Sequence, residues 1–195
     1  MASLKLEEKS KWLREALDQV AAIEPNQVPR QPTLVATLRS RCPHGIEIAD
    51  DPEVANIPLD QFTCFVHALG LAESRVVERI ARALDRGYIS SDFVAFLVGH
   101  LFESVSTEEA RDGDIVLYWN DKTITHTGKV RSERVISKWG TGYLWQHDVF
   151  EVPMRYGSRV TFYRPLDRPV VEQAFVTYLK QREGATLIDE LLTEG

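Results

Sequence analysis

The chain is poor in sulfur. Its 195 residues include two cysteines and two methionines, so no disulfide scaffold holds it and the fold must rest on a buried core. Cys42 and Cys64 allow at most one bridge, which a reducing compartment does not favour. Long apolar runs are also missing: none approaches the roughly 20 residues that a membrane helix needs. The opening stretch MASLKLEEKSKWLREAL is charged and helix-periodic, with no apolar signal core, and a cytoplasmic location is the expectation. Basic charge is not in excess. Lys and Arg number 23 against 29 Asp and Glu, a formal charge of -6, with a pI near 5.4. That balance argues against nucleic acid or an anionic membrane as partner. There are no internal repeats and no low-complexity tracts. What remains is the composition of an ordinary globule, 44% hydrophobic and 27% charged, long enough to bury one sizeable core.

Periodicity divides the chain. Residues 4–23 place Leu6, Leu13, Leu17 and Val20 at helical spacing among charged residues. The proline-rich EPNQVPRQP ends that helix. TLVATLRSR reads as a short helix and the acidic ADDPEVANIP as loop. A short helix is expected over 64–69, ended by Gly70. AESRVVERIARALDRG follows, with Val76, Ile80 and Leu84 on its apolar face, solvated arginines opposite and Gly87 as C-cap. Ser91 is the expected cap of a buried helix, DFVAFLVGHLF. Residues 106–109, STEE, fit a capping box. From Gly113 the pattern turns β: DIVLYW, ITHTGKV, RVISKWG and RVTFYRP are short and rich in β-branched and aromatic residues, with NDKT and RSER as turns. Residues 167–194 return to helix in two pieces broken near Gly184. The sum is an α+β domain with helices packed on an antiparallel sheet over 30–166. An N-terminal helix and linker cover 1–29, and a helical extension covers 167–195.

Two residues stand out. Cys64 opens a helix in DQFTCFVHALGL, where unpaired backbone N–H groups stabilise a thiolate. His126 opens a strand in ITHTGKV, where it can serve as base to such a thiol. A helix-borne cysteine, a Gly-Asp strand (GDIVLY), a strand opened by histidine and then another short strand together resemble the papain-like cysteine peptidase superfamily. The likeness is greatest to its compact bacterial branch of cell-wall endopeptidases and amidases, CHAP-type domains included, over about residues 60–165. The resemblance implies a papain-like fold, Cys64 as nucleophile and His126 as base. It implies hydrolysis or transfer at an amide or thioester bond of a peptide-like substrate. The Cys64 N–H would supply half an oxyanion hole, and the Gln61 side chain could add to it.

The third site residue departs from the family pattern, which uses His, Asn, Asp or Glu. If RSER is a tight hairpin, Val130 pairs with Val135 and His126 with Trp139. Ser137 then shares the His126 face and Lys138 lies on the other. Family spacing points instead to Lys138, which cannot accept a hydrogen bond from the imidazole. Both remain candidates, with Ser137 favoured by the register. His67, one turn after Cys64, and the aromatics Trp139 and Trp145 are the remaining candidates for lining a substrate site. Trp145 belongs to an aromatic run with Tyr143, Phe150 and Tyr156, which could wall a groove but more often covers the open edge of a small sheet. Cys64/His67 and Cys42/His44 do not have the paired spacing of a structural zinc site, so neither metal nor cofactor is expected. The sequence leaves a second reading open: a non-catalytic binding protein that keeps this fold with a degenerate site.

Overall fold

The computed structural model describes residues 2–84 and 89–193. Gly87, the expected helix cap, lies outside them. The architecture is α+β. A seven-stranded antiparallel sheet has the order β1-β6-β5-β4-β3-β7-β2. Its strands are β1 (Glu47–Ile48), β2 (Ser104–Val105), β3 (Ile115–Asn120), β4 (Thr123–Arg131), β5 (Arg134–Lys138), β6 (Leu144–His147) and β7 (Arg159–Tyr163). The helices are α1 (Ala2–Ala21), α2 (Gln31–Arg39), α3 (Cys64–Ala68), α4 (Arg75–Leu84), α5 (Ser91–His100), α6 (Arg168–Glu183) and α7 (Ala185–Thr193).

Both faces of the sheet are covered. On β3 the successive residues Ile115, Val116, Leu117 and Tyr118 are all buried. Alternate side chains on a strand point to opposite faces, so such a run needs an apolar layer on each side. Ile115 and Leu117 pack with α3 to α7 through Val66, Ile80, Phe93, Phe175 and Ile188. Val116 and Tyr118 pack with α1 and α2 through Leu13, Leu17, Val20 and Val35, joined by Trp139 and Trp145. The terminal segments expected as extensions are thus built into the two cores. Arg14 of α1 is buried and donates to the carbonyls of Val152 and Gly157. Gln31 of α2 donates to Val20 O at 3.0 Å and accepts from the Tyr143 N–H at 3.1 Å.

Several boundaries differ from the sequence expectations. The proline-rich stretch does not merely break α1. Pro25–Arg30 forms a 3-10 turn that runs into α2, with prolines near helix starts, where the missing N–H costs little. Ser90, not Ser91, caps α5, its side chain accepting from Phe93 N–H. The Ser106–Glu109 pair forms, with Glu109 accepting from the Ser106 N–H and hydroxyl. β1, β2 and β6 were not expected as strands: two are only two residues long and β6 lies inside the aromatic run. The break between α6 and α7 falls at Gly184, at φ +103°.

Candidate functional site

α3 starts at Cys64 because the chain arrives extended through Phe62 and Thr63, and the Thr63 side chain accepts the Val66 N–H at 3.3 Å. It ends at Gly70, whose φ of +66° suits glycine. The five-residue helix packs on β4 and β5. So short a helix has little macrodipole, and local groups dominate the charge at the thiol.

The most important of those groups comes from the sheet. Residues 131–134 make a tight hairpin, with Ser132 and Glu133 at φ +51° and +61°. It sets the pairs Arg131↔Arg134, Val130↔Val135 and Lys129↔Ile136, the register expected for RSER. The ladder then stops. Val130 gives its N–H to Asp114 O on the β3 side. Thr127, an odd number of residues away, therefore presents its N–H on the β5 side, past the end of the ladder. That N–H acts on the Cys64 thiol, favouring its ionised form. Burial pushes the half-buried Cys64 thiol up to about 11, opposed by the backbone N–H groups of Thr127 and Phe65 and by the Lys138 charge.

His126 is the fourth residue of β4 rather than its first. It pairs with Tyr118 of β3 and is 1% exposed. Its ring stacks flat on Tyr156, with centroids 3.8 Å apart. Among the described residues no hydrogen bond joins it to Cys64, and its Nε2 is buried without a partner. Burial holds its pKa well below the ordinary histidine value, with His147 and His67 acting in the same direction. Tyr156 connects the two halves. It carries the His126 stack, its hydroxyl accepts the Gly140 N–H at 3.2 Å, and a Cys64 thiolate adds to the burial that raises its phenol pKa.

The expected third residues are occupied elsewhere. Ser137 does share the sheet face of His126, but its hydroxyl bonds His147 Nε2 at 2.8 Å and accepts from Trp139 Nε1 at 3.1 Å. Because His147 Nδ1 lies 2.8 Å from the Asp148 carbonyl, that nitrogen carries the proton and Ser137 donates to Nε2. Lys138 lies on the opposite face, opposite Leu144 of β6. Its Nζ donates to Gly140 O at 3.2 Å and Gly142 O at 2.7 Å and sits 5.1 Å from the Phe62 ring centroid. Neither residue orients the imidazole.

The other candidates separate likewise. Trp139 and Trp145 do not line a groove. They are 0% and 1% exposed and stack at 5.3 Å in the core beneath α1 and α2. His67 is buried, its Nε2 bonded to Asp51 Oδ2 at 2.8 Å, so it braces α3 and does not face solvent. Gln61 is exposed and faces a cleft of about 700 Å³ between residues 56–61 and α4, beside the segment leading to Cys64. Among the described residues no three His, Cys, Asp or Glu side chains converge to hold a metal. No helix among them is long and apolar enough to cross a membrane. The sequence reading missed Thr127, whose contribution is a backbone N–H without any side-chain signal, and the Asp51–His67 pair, which joins a loop to a helix. Tyr156 was seen only as part of an aromatic run. Comparison with protein-family models, with curated proteins and with solved structures finds no match to this chain.

Proposed function

We propose that the chain is a papain-like cysteine hydrolase or acyl transferase acting on an amide-containing substrate, with Cys64 as nucleophile and His126 as its base. One observation carries the reading: α3, which opens at Cys64, packs on β4 and β5 where their ladder ends at Lys129, and the Thr127 N–H past that end favours the Cys64 thiolate. A strand N–H left over from a ladder and aimed at a thiol stabilises negative charge there without reorganisation. Tyr156, against which His126 stacks, is within electrostatic reach of the same sulfur. In the proposed reaction the thiol proton passes to the imidazole and the S–C bond forms at the carbonyl. The imidazole then protonates the leaving amine, and water or an acceptor releases the thioester. The cleft beside Gln61 is the natural approach for an extended substrate.

The buried, unpartnered His126 Nε2 favours a second reading, a binding protein with a degenerate site. Burst kinetics with p-nitrophenyl acetate separate the two. The hydrolase reading expects a stoichiometric burst of p-nitrophenol that Cys64→Ala abolishes, followed by steady turnover that His126→Ala removes. A burst without turnover supports the degenerate site. Absence of any burst refutes Cys64 as nucleophile.

A further inference from the structure

We propose that Lys138 is the cation that stabilises the Cys64 thiolate, so that the site runs on a cysteine–lysine charge pair with His126 serving for proton transfer alone. The inference rests on Cys64 being the reactive group of the proposed site.

Lys138 is 1% exposed, yet no carboxylate lies within ion-pair distance of it among the described residues. Every polar group that holds it suits a cation: two carbonyl oxygens, Gly140 O and Gly142 O, and the face of Phe62. An ammonium has three N–H donors, and the carbonyls take two. Among the described residues the third has no hydrogen-bond acceptor. A buried cation in this state is costly unless an anion completes its surroundings.

The fold places that anion beside it. Phe62 and Thr63 run extended into Cys64, the first residue of α3, so Phe62 and Cys64 lie on the same side of the chain. The Lys138 Nζ over the Phe62 ring is therefore on the side to which the sulfur projects. Continuing the register from Lys129↔Ile136 by two residues sets Lys138 opposite Thr127, whose N–H also favours the Cys64 thiolate. The groups acting on the thiol include Lys138 and the backbone N–H groups of Thr127 and Phe65, and the thiol acts in turn on Tyr156. Those acting on Lys138 are Cys64 and, more weakly, Asp60. Burial lowers the ammonium to about 8, which leaves it charged at neutral pH. Among the described residues His126 Nε2 has no carboxylate or carbonyl partner to stabilise an imidazolium. The positive charge thus belongs to the lysine.

The test is alkylation of Cys64 in the full chain by neutral iodoacetamide and anionic iodoacetate. In each the thiolate displaces iodide and forms one S–C bond. With a cation beside the sulfur, the iodoacetate-to-iodoacetamide rate ratio at Cys64 should exceed by about fivefold that of the same cysteine in the urea-unfolded chain. Lys138→Met, which keeps an unbranched side chain one atom shorter and removes the charge, should abolish that preference. It should also slow iodoacetamide about three- to tenfold at fixed pH, one unit of thiol pKa partly offset by higher intrinsic nucleophilicity. His126→Ala should leave the ratio unchanged. A wild-type ratio equal to that of the unfolded chain overturns the proposal, and needs no variant to fold. So does a preference that survives Lys138→Met. Failure of ester turnover with the preference intact would count against the hydrolase reading and not against the charge pair.

Discussion

Removing the Asp51 carboxylate should cost more stability than any other single change on the loop 49–63, and the loss should depend on pH in a defined way. Asp51 Oδ2 accepts from His67 Nε2 at 2.8 Å, while Oδ1 accepts the Glu53 N–H at 3.0 Å. The side chains are 9% and 0% exposed, so solvent screens the pair little. The His67 hydrogen bond holds Asp51 down to about 2, against an ordinary 3.8. Burial lowers His67 below 6.5, against the raising effect of Asp51, so a neutral ring donates to a charged carboxylate. Both groups have depressed folded pKa values, so both contribute stability that falls with pH. For His67 the loss starts near 6.5, where the unfolded ring takes up a proton that the folded ring refuses. For Asp51 it starts near 3.8 and runs down to about 2, and amounts to about 2 kcal/mol. Asp51→Ala leaves His67 with both ring nitrogens unpaired, since Nδ1 already has no partner. The expected cost at pH 7 is about 3 kcal/mol. Asp51→Asn keeps a neutral acceptor and should cost about 1 kcal/mol. Urea unfolding at pH 7 and at steps down to pH 2.5 provides the assay. The gap between wild type and Asp51→Asn should close over the lowest steps. A loss below about 0.5 kcal/mol for Asp51→Ala, or a gap that stays constant to pH 2.5, would refute the pairing.

Three further outcomes follow from the packing. Ser137→Ala orphans the Trp139 indole N–H and His147 Nε2 at a fully buried position. It should cost about 2 kcal/mol in a urea melt, whereas a neutral result would show that the network is not formed. Gly128→Ala would put a Cβ 2.7 Å from Ile136 O and 2.6 Å from Val135 Cγ1. The carbonyl cannot move without parting β4 from β5, so a loss of about 1–3 kcal/mol is expected, together with a changed Cys64 alkylation rate. Leu17→Ala, at 0% exposure on α1, should cost about 2–5 kcal/mol. A thermal melt unchanged by this substitution would mean that α1 is not part of the cooperative unit.

What could be read from the sequence was local. Period and composition identified α1, the α3 start at Cys64, α5 and the strands β3, β4, β5 and β7, because each carries its own repeating pattern and turn chemistry. The RSER hairpin sets its own register, and with it the faces of Ser137 and Lys138. The two-residue strands escaped notice because a pair of residues has no period. β6 was hidden because its aromatics suit a buried strand and an edge cover equally. The all-apolar IVLYW stretch already carried the signal for a sheet covered on both faces, and so for a core role of α1. Tertiary structure alone decided the chemistry. Whether Ser137 serves His126 or His147 depends on the pairing of β6 beside β5, which brings His147 to the Ser137 hydroxyl. Which charge reaches Cys64 depends on a β4–β5 ladder that ends at Lys129, freeing the Thr127 N–H and setting Lys138 over Phe62. Strand period gives a residue its face, but only the packed neighbours determine which hydrogen bonds and charges it meets there.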